Sequence, residues 1–424
     1  MFKTMLSSLS RIFSRKKVYQ LKQVFTPSSY AFTNYTKRPE IEDRFIKALE
    51  MPGMQIVVYG HSGGGKSTLV NKILKQKNIN CILTPCVTGY SINQLILDAF
   101  DKLDAFYISS TSDGTKVTIS DSVKANYIAL STEIHGSMEF NTITQKKRVL
   151  PPQLNAQRLI DFIGAANCIW VIDDFHKVDE SEKKKLSQIM KLFVDASNTY
   201  ENIKVIAIGA CDTAREVVEY DSEMSNRVSE INVPLLSPPE IATILNNGAS
   251  LLNIEFSKDL VNGIIKNSNK LASISHHLAY NICHDNGISQ TSNTLTLFNY
   301  DFLAQSIETY VGEKSDTYKK LFDEVTRHRE REYKNVELIL KAMAQLDDEQ
   351  SHNDILIKIC EETPDYPTSN LSHYLKLMTG PGLSEIIRQD NASGKYSYSD
   401  PFFKAFVTMH FKIQANNEIL SIVN

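Results

Sequence analysis

The sequence predicts an α/β protein: a three-layer αβα sandwich around a parallel sheet, followed by an α-helical lid and a winged-helix domain. Three observations carry the prediction. A glycine-rich loop, Gly60-His61-Ser62-Gly63-Gly64-Gly65-Lys66-Ser67-Thr68, lies between a short apolar run at 55–59 and a helical pattern marked by Leu69, Val70, Ile73 and Leu74. That strand–loop–helix order is the P-loop arrangement, which sets backbone amides and a helix N-terminus around phosphate. A second apolar run, 168–172, ends in Asp173 and Asp174, as a buried parallel strand does when it delivers carboxylates to a site at its C-terminal end. Finally, 17 Gly and 13 Pro among 424 residues are about 7%, against a usual share near 12%, so turns are scarce and an all-β architecture is disfavoured.

Length suggests two or three domains, divided as a basic N-terminal segment 1–25, a P-loop domain 26–235 with an insertion at 105–150, a helical lid 236–298, connecting helices 299–333 and a winged helix 334–424. Before Glu40 there is no acidic residue, whereas Lys3, Arg11, Arg15, Lys16, Lys17, Lys22, Lys37 and Arg38 are all basic. Phe2, Met5, Leu6, Leu9, Ile12 and Phe13 fall at helical spacing, opposite Lys3, Ser7, Ser10, Arg11 and Ser14. Two readings fit: a basic amphipathic helix that brings residues 1–22 to an anionic membrane surface or a partner, or a terminal tail or helix folded on its own protein. A transit peptide shares this composition.

Within the P-loop, glycines let N–H groups turn inward on phosphate, Lys66 reaches the β and γ oxygens and Ser67 offers a hydroxyl to Mg²⁺. Asp173 is the candidate to bind Mg²⁺ through water, and Asp174 to orient or deprotonate an attacking water. A third apolar run, 204–209, ends near Asp212 and Thr213, either of which would sense the terminal phosphate or simply cap the helix that follows. Arg227, just before the apolar run 228–233, is either an arginine finger for a neighbouring subunit or a surface cation. The insertion contains a β-hairpin pattern around 116–120, and Pro151-Pro152 ends it before a helix at 154–163.

Pro234, Pro238 and Pro239 mark the next boundary. Helical patterns at 239–250, 257–267 and 273–284 make the lid, a polar linker spans 286–296, and charged helices fill 300–333, ending in the run Arg327-His328-Arg329-Glu330-Arg331-Glu332. Three more helical patterns (336–346, 353–361, 369–379) and two short strands (385–390, 395–398) around the turn 391–394 give the winged helix. Its third helix offers only His373 and Lys376, and its wing Arg388 and Lys395, so protein interaction is favoured over DNA reading.

A net charge of −3 makes no whole-chain case for nucleic-acid binding. Six cysteines without a CxxC pair point to reduced thiols rather than zinc. No apolar stretch reaches the eighteen residues a spanning helix needs, so a cytoplasmic protein, peripheral to a membrane at most, is expected.

On these residues the chain resembles AAA+ and STAND-type ATPases of the origin-recognition-like clade, over most of its length from residue 30. Tyr35-Thr36-Lys37-Arg38-Pro39-Glu40 resembles the family's opening segment, which implies that Arg38 lies near the nucleotide base; residues 60–67 match Walker A, 169–174 Walker B, 210–213 the sensor-1 strand end and Arg227 the arginine-finger box. The run 397–403 resembles the close of the winged helix in related ATPases. The resemblance implies ATP and Mg²⁺ as ligands, a lid that closes over the base, homo-oligomerisation and a protein effector, in anti-phage defence or signalling. Its alternative is a DNA-binding ATPase of replication initiation, transposition or partition, with DNA held by the winged helix. Two departures stand out: Asp174 replaces the usual second glutamate, and no sensor-2 arginine occurs in 268–273, where Lys270 is the nearest substitute.

Overall fold

The computed structural model describes residues 17–112, 154–211, 213–219, 222–327, 334–390 and 393–423. The amphipathic pattern at 1–15, the hairpin expected at 116–120, Asp212, and Arg329 and Arg331 lie outside the described residues. The chain divides into two compact units, one of residues 37–235 and one combining 1–36 with 236–424.

The first helix, α1 (Leu21–Val24), belongs to the second unit. The 37–235 unit starts with α2 (Pro39–Glu50), whose N1 proline needs no hydrogen-bond acceptor and whose first turn carries Glu40 and Glu42, favourable against the helix dipole. Then follow β1 (Gln55–Tyr59), α3 (Lys66–Gln76), β2 (Asn80–Pro85), α4 (Ile92–Ser112), α5 (Ala156–Ala165), β3 (Cys168–Asp173), α6 (Glu180–Ala196), β4 (Val205–Ile208), the single turns α7 (Ala214–Val217) and α8 (Ser222–Ser225), and β5 (Val228–Asn232). Helix α4 continues through Ser112, seven residues past the expected start of the insertion.

The strands form one parallel sheet in the order β2-β3-β4-β1-β5. Strand β4 therefore lies between the strand that leads into the glycine-rich loop and the strand that ends in Asp173. Side chains alternate between the two faces. Ile56, Val58, Ile169, Val171, Ile206 and Ile208 pack on one side against Phe45 and Leu49 of α2 and Leu69 and Ile73 of α3. Val57, Trp170, Ile172, Val205 and Ala207 pack on the other against α4, α5 and α6. This is the three-layer α/β sandwich the sequence predicts. Fully buried Gln55 stays satisfied, because its Oε1 accepts the Val205 N–H at 2.8 Å and its Nε2 donates to Gly53 O at 3.1 Å.

The second unit continues with α9 (Pro238–Leu252), opened by a Ser237/Glu240 capping box, β6 (Ile254–Phe256), α10 (Lys258–Ser268), α11 (Ala272–Asp285), β7 (Thr296–Phe298) and α12 (Phe302–Glu313). A π-helical turn at Ser315–Lys319 leads to α13 (Lys320–Thr326). Strands β6 and β7 pair in parallel, so the stretch read as a linker ends in a strand. Residues 19–36 pack here. Tyr19 and Leu21 bond to Thr291 and Ser289, and Phe25, fully buried, meets Phe256 and His276. The boundary read at residue 25/26 thus falls inside a segment that joins this unit, and the break lies at 36/37. Helices α14 (Asn335–Gln345), α15 (His352–Cys360) and α16 (Thr368–Met378) precede the antiparallel pair β8 (Ile387–Gln389) and β9 (Tyr396–Tyr398). A closing helix, α17 (Pro401–Val423), was not foreseen from the sequence. Among the described residues, no helix is long and apolar enough to cross a membrane.

Candidate functional site

At the C-terminal end of β1 the chain turns through Gly60, with φ at +135°. A Cβ there would lie 2.2 Å from Val233 O, so only glycine fits. Its N–H donates to Cys211 O at 3.0 Å, which ties the loop to the end of β4. Gly65, left-handed at φ +87°, ends the loop, and a Cβ on it would meet no atom within 4 Å, so the loop borders open space at the N-terminus of α3. Ser62 is exposed at the loop tip and Thr68 half-buried on the first turn of α3.

Lys66 starts α3 and folds back over its own loop. Its Nζ donates to Gly60 O at 2.9 Å and to His61 O at 2.7 Å. Burial lowers its pKa to about 8, with Asp173 and Asp174 acting in the opposite sense. Ser67 Oγ donates to Asp173 Oδ1 at 3.0 Å, which joins the loop helix to the end of β3. The Asp174 N–H donates to the same oxygen at 3.0 Å. Burial pushes the Asp173 pKa up, while the Ser67 hydrogen bond draws it down.

Asp174 takes the left-handed conformation (φ 58°) and begins a single 3-10 turn, Phe175–Lys177. The turn aims Lys177 back at the carboxylate, with Nζ 2.6 Å from Asp174 Oδ2. It also presents His176, whose Nδ1 accepts the Ala210 N–H at 3.1 Å, one residue before the Cys211 carbonyl that holds Gly60. Sequence reasoning missed both partners. Their only signal is adjacency to the Asp pair, since the turn that aims them is not coded by periodicity.

The structure therefore brings together residues 60–67, Asp173 and Asp174. Thr213 caps α7, its Oγ1 accepting the Glu216 N–H at 3.4 Å. Arg38 caps α2 and is buried, its guanidinium donating to Pro234 O at 2.9 Å and Leu235 O at 3.3 Å, the backbone just past β5. Arg227 is half-buried at the start of β5, where its carbonyl accepts the Gln55 N–H at 2.8 Å. It stands at the opposite end of the sheet from the loop, about 17 Å away at roughly 3.3 Å per residue along β1, so it does not serve its own loop. In the other unit, Lys270 is paired with Asp348 at 2.6 Å. Among the described residues there is no cluster of His, Cys, Asp or Glu suited to a metal held by protein ligands alone.

Residues 39–208 match a sequence model described as the KAP family P-loop domain. The chain carries a P-loop NTPase domain. No curated protein matches it by sequence. Among solved structures, a Walker-type ATPase of Pyrococcus abyssi aligns over 88% of this chain and 96% of its own at 14% identity, with a TM-score of 0.50, a likeness of fold. Cdc6p from Pyrobaculum aerophilum aligns over 94% and 99% at 15% identity and TM-score 0.42. The RuvB branch migration motor of Thermotoga maritima aligns over 87% and 94% at 11% identity and TM-score 0.39.

Proposed function

We propose that the chain is an ATP-binding and ATP-hydrolysing switch of AAA+/STAND-like type, which couples nucleotide state to self-association and to a partner protein. The observation that carries this reading is the Ser67 Oγ–Asp173 Oδ1 contact beside the buried Lys66 ammonium, next to a loop whose first residue, Gly60, can only be glycine. Two hard oxygen donors facing each other suit Mg²⁺, with Ser67 as direct ligand and Asp173 through water. A bound dication would also keep the buried Asp173 carboxylate ionised, and it would supply charge neutralisation on the phosphates.

The remaining work falls to the chain's own groups. The N-terminus of α3 and the loop backbone favour the anionic phosphates. Lys66 exchanges its two carbonyl partners for phosphate oxygens, an interaction that strengthens as charge shifts in the transition state. Asp174 orients the water whose oxygen attacks the terminal phosphorus; the bond to the bridging oxygen breaks, ADP leaves with that electron pair, and the water's proton passes to the Asp174 carboxylate. In this structure that carboxylate is paired with Lys177, and aspartate reaches less far than glutamate, both of which favour slow turnover. Arg227, remote from its own loop, suits a contact with a second copy. ATP rather than another nucleoside triphosphate rests on the resemblance alone.

We read α14–α16 with β8 and β9 as an interaction winged helix. Its third helix bears only His373 and Lys376, and Arg388 on the hairpin is bonded to Ser397 Oγ at 3.1 Å, a sparse set for gripping DNA. Two substitutions test the site. Lys66→Ala abolishes binding of a fluorescent ATP analogue, whereas Asp174→Asn keeps binding and loses phosphate release. Turnover that persists in Asp174→Asn overturns the assigned base, and ATP binding unaffected by Lys66→Ala overturns the site.

A further inference from the structure

We propose that His176 is a positioning residue of the phosphate site: by accepting the Ala210 N–H on Nδ1, it fixes the end of β4 between the glycine-rich loop and the Asp173–Asp174 carboxylates. The inference rests on the hydrolytic reading of that site and adds a residue to it.

The pairing of the strands shows why a side chain is needed. Strand β4 pairs with β3 only through Trp170↔Val205, Val171↔Ile206 and Ile172↔Ala207. Beyond Ala207 the two strands part, as β3 turns into the left-handed Asp174 and the 3-10 turn. On its other side β4 stays attached to β1 and the loop, with Gly209 N–H on Val58 O at 3.0 Å and Gly60 N–H on Cys211 O at 3.0 Å. The His176–Ala210 bond closes the open side. It completes a run of contacts from the carboxylate turn, through Ala210 and Cys211, to the first glycine of the loop.

The bond also sets a protonation requirement. A neutral imidazole keeps a lone pair on Nδ1, whereas a protonated ring has two donors and no acceptor. The charged groups around the ring are Asp174 and Lys177 on its own turn, Lys66 on α3 and Lys183 on α6. Burial is the largest influence and favours the neutral ring that the geometry requires.

The experiment compares wild-type full-length chain with His176→Ala and His176→Asn. Asn Oδ1 falls where ring Nδ1 lies and restores an acceptor. Steady-state ATP turnover is measured together with amide exchange of the peptide covering 205–214, with thermal melts confirming that each variant is folded. The expected result is that His176→Ala lowers kcat about tenfold with KM nearly unchanged, the signature of a site misaligned for the chemical step. Ala210 then exchanges faster, and His176→Asn recovers both properties. In wild type, protonation of the ring contributes to the fall of kcat on the acid side, and that contribution is absent in His176→Asn, whose amide does not titrate. Ala and Asn variants that lose turnover equally, an Ala210 amide as protected in His176→Ala as in wild type, or faster exchange with unchanged kcat each overturn the proposal. Wild-type chain that binds ATP without turning it over refutes the hydrolytic reading instead, and the exchange comparison, made with a non-hydrolysable ATP analogue bound, still decides the contact.

Discussion

Single backbone positions govern the candidate site. A methyl group on Gly60 would lie 2.2 Å from a carbonyl oxygen of the main chain, which cannot swing aside as a side chain could. Gly60→Ala is therefore expected to destabilise the 37–235 unit by about 2–4 kcal/mol, through strain at positive φ and displacement of residue 233. Gly65→Ala meets no clash and carries only its φ penalty, about 1 kcal/mol. Comparing the two by chemical denaturation separates close approach from backbone handedness. Such constraints help make residues 60–67 readable from sequence, because Gly60, Gly63 and Gly65 all take positive φ, where glycine is favoured. From its own residues Arg38 was legible as a cation, and only the resemblance set it near the nucleotide base. That its guanidinium clasps Pro234 and Leu235 carbonyls depends on β5 returning beside β1, which no local pattern encodes.

Among the elements, the inner strands β1, β3 and β4 were legible because burial on both faces leaves near-continuous apolar runs, as at 168–172, whereas β2, a half-buried strand at the edge of the sheet, was not read. The three-residue strands β6 and β7 were not, being too short to show alternation and dependent on partners some forty residues apart. The edge of β4 carries another element-scale consequence. Lys204, 1% exposed, donates its ammonium to Met51 O and to Met54 O at 3.1 Å, closing the turn after α2. Burial lowers its pKa to about 8, as it does for Lys66. Below pH 8 folded and unfolded chains both hold these protons. Between about 8 and the unfolded value near 10.4 the unfolded chain holds more of them, so the contribution of these two lysines to stability rises with pH across that window. The buried thiols of Cys86, Cys168 and Cys283, whose pKa burial raises, act in the opposite sense over the same range, so the lysine effect is read as a difference: from pH 8 to 10 the denaturant midpoint of wild type should gain on that of Lys204→Met. A midpoint that gains nothing on the variant's would mean that Lys204 titrates normally in the folded chain.

At the scale of the whole molecule, the 37–235 unit is inserted into the sequence of the other. Its two ends are held close, since Arg38 reaches the Leu235 carbonyl, the usual condition for a domain insertion. Deleting residues 1–36 should thus leave the 37–235 fold intact and strip Leu21, Val24 and Phe25 from the core of the other unit. Calorimetry should show the transition of the helical unit lost or lowered and the other retained; loss of both together would contradict two separate cores. The same insertion sets a timetable for synthesis. Leu21, Val24 and Phe25 are made before the whole 37–235 unit, yet α9 and α11, which cover them, follow after some two hundred more residues. At about 5–20 residues per second, that apolar segment waits about 10–40 s for its partners while the P-loop domain folds, so the growing chain spends that interval with an unpaired apolar segment that a chaperone could hold.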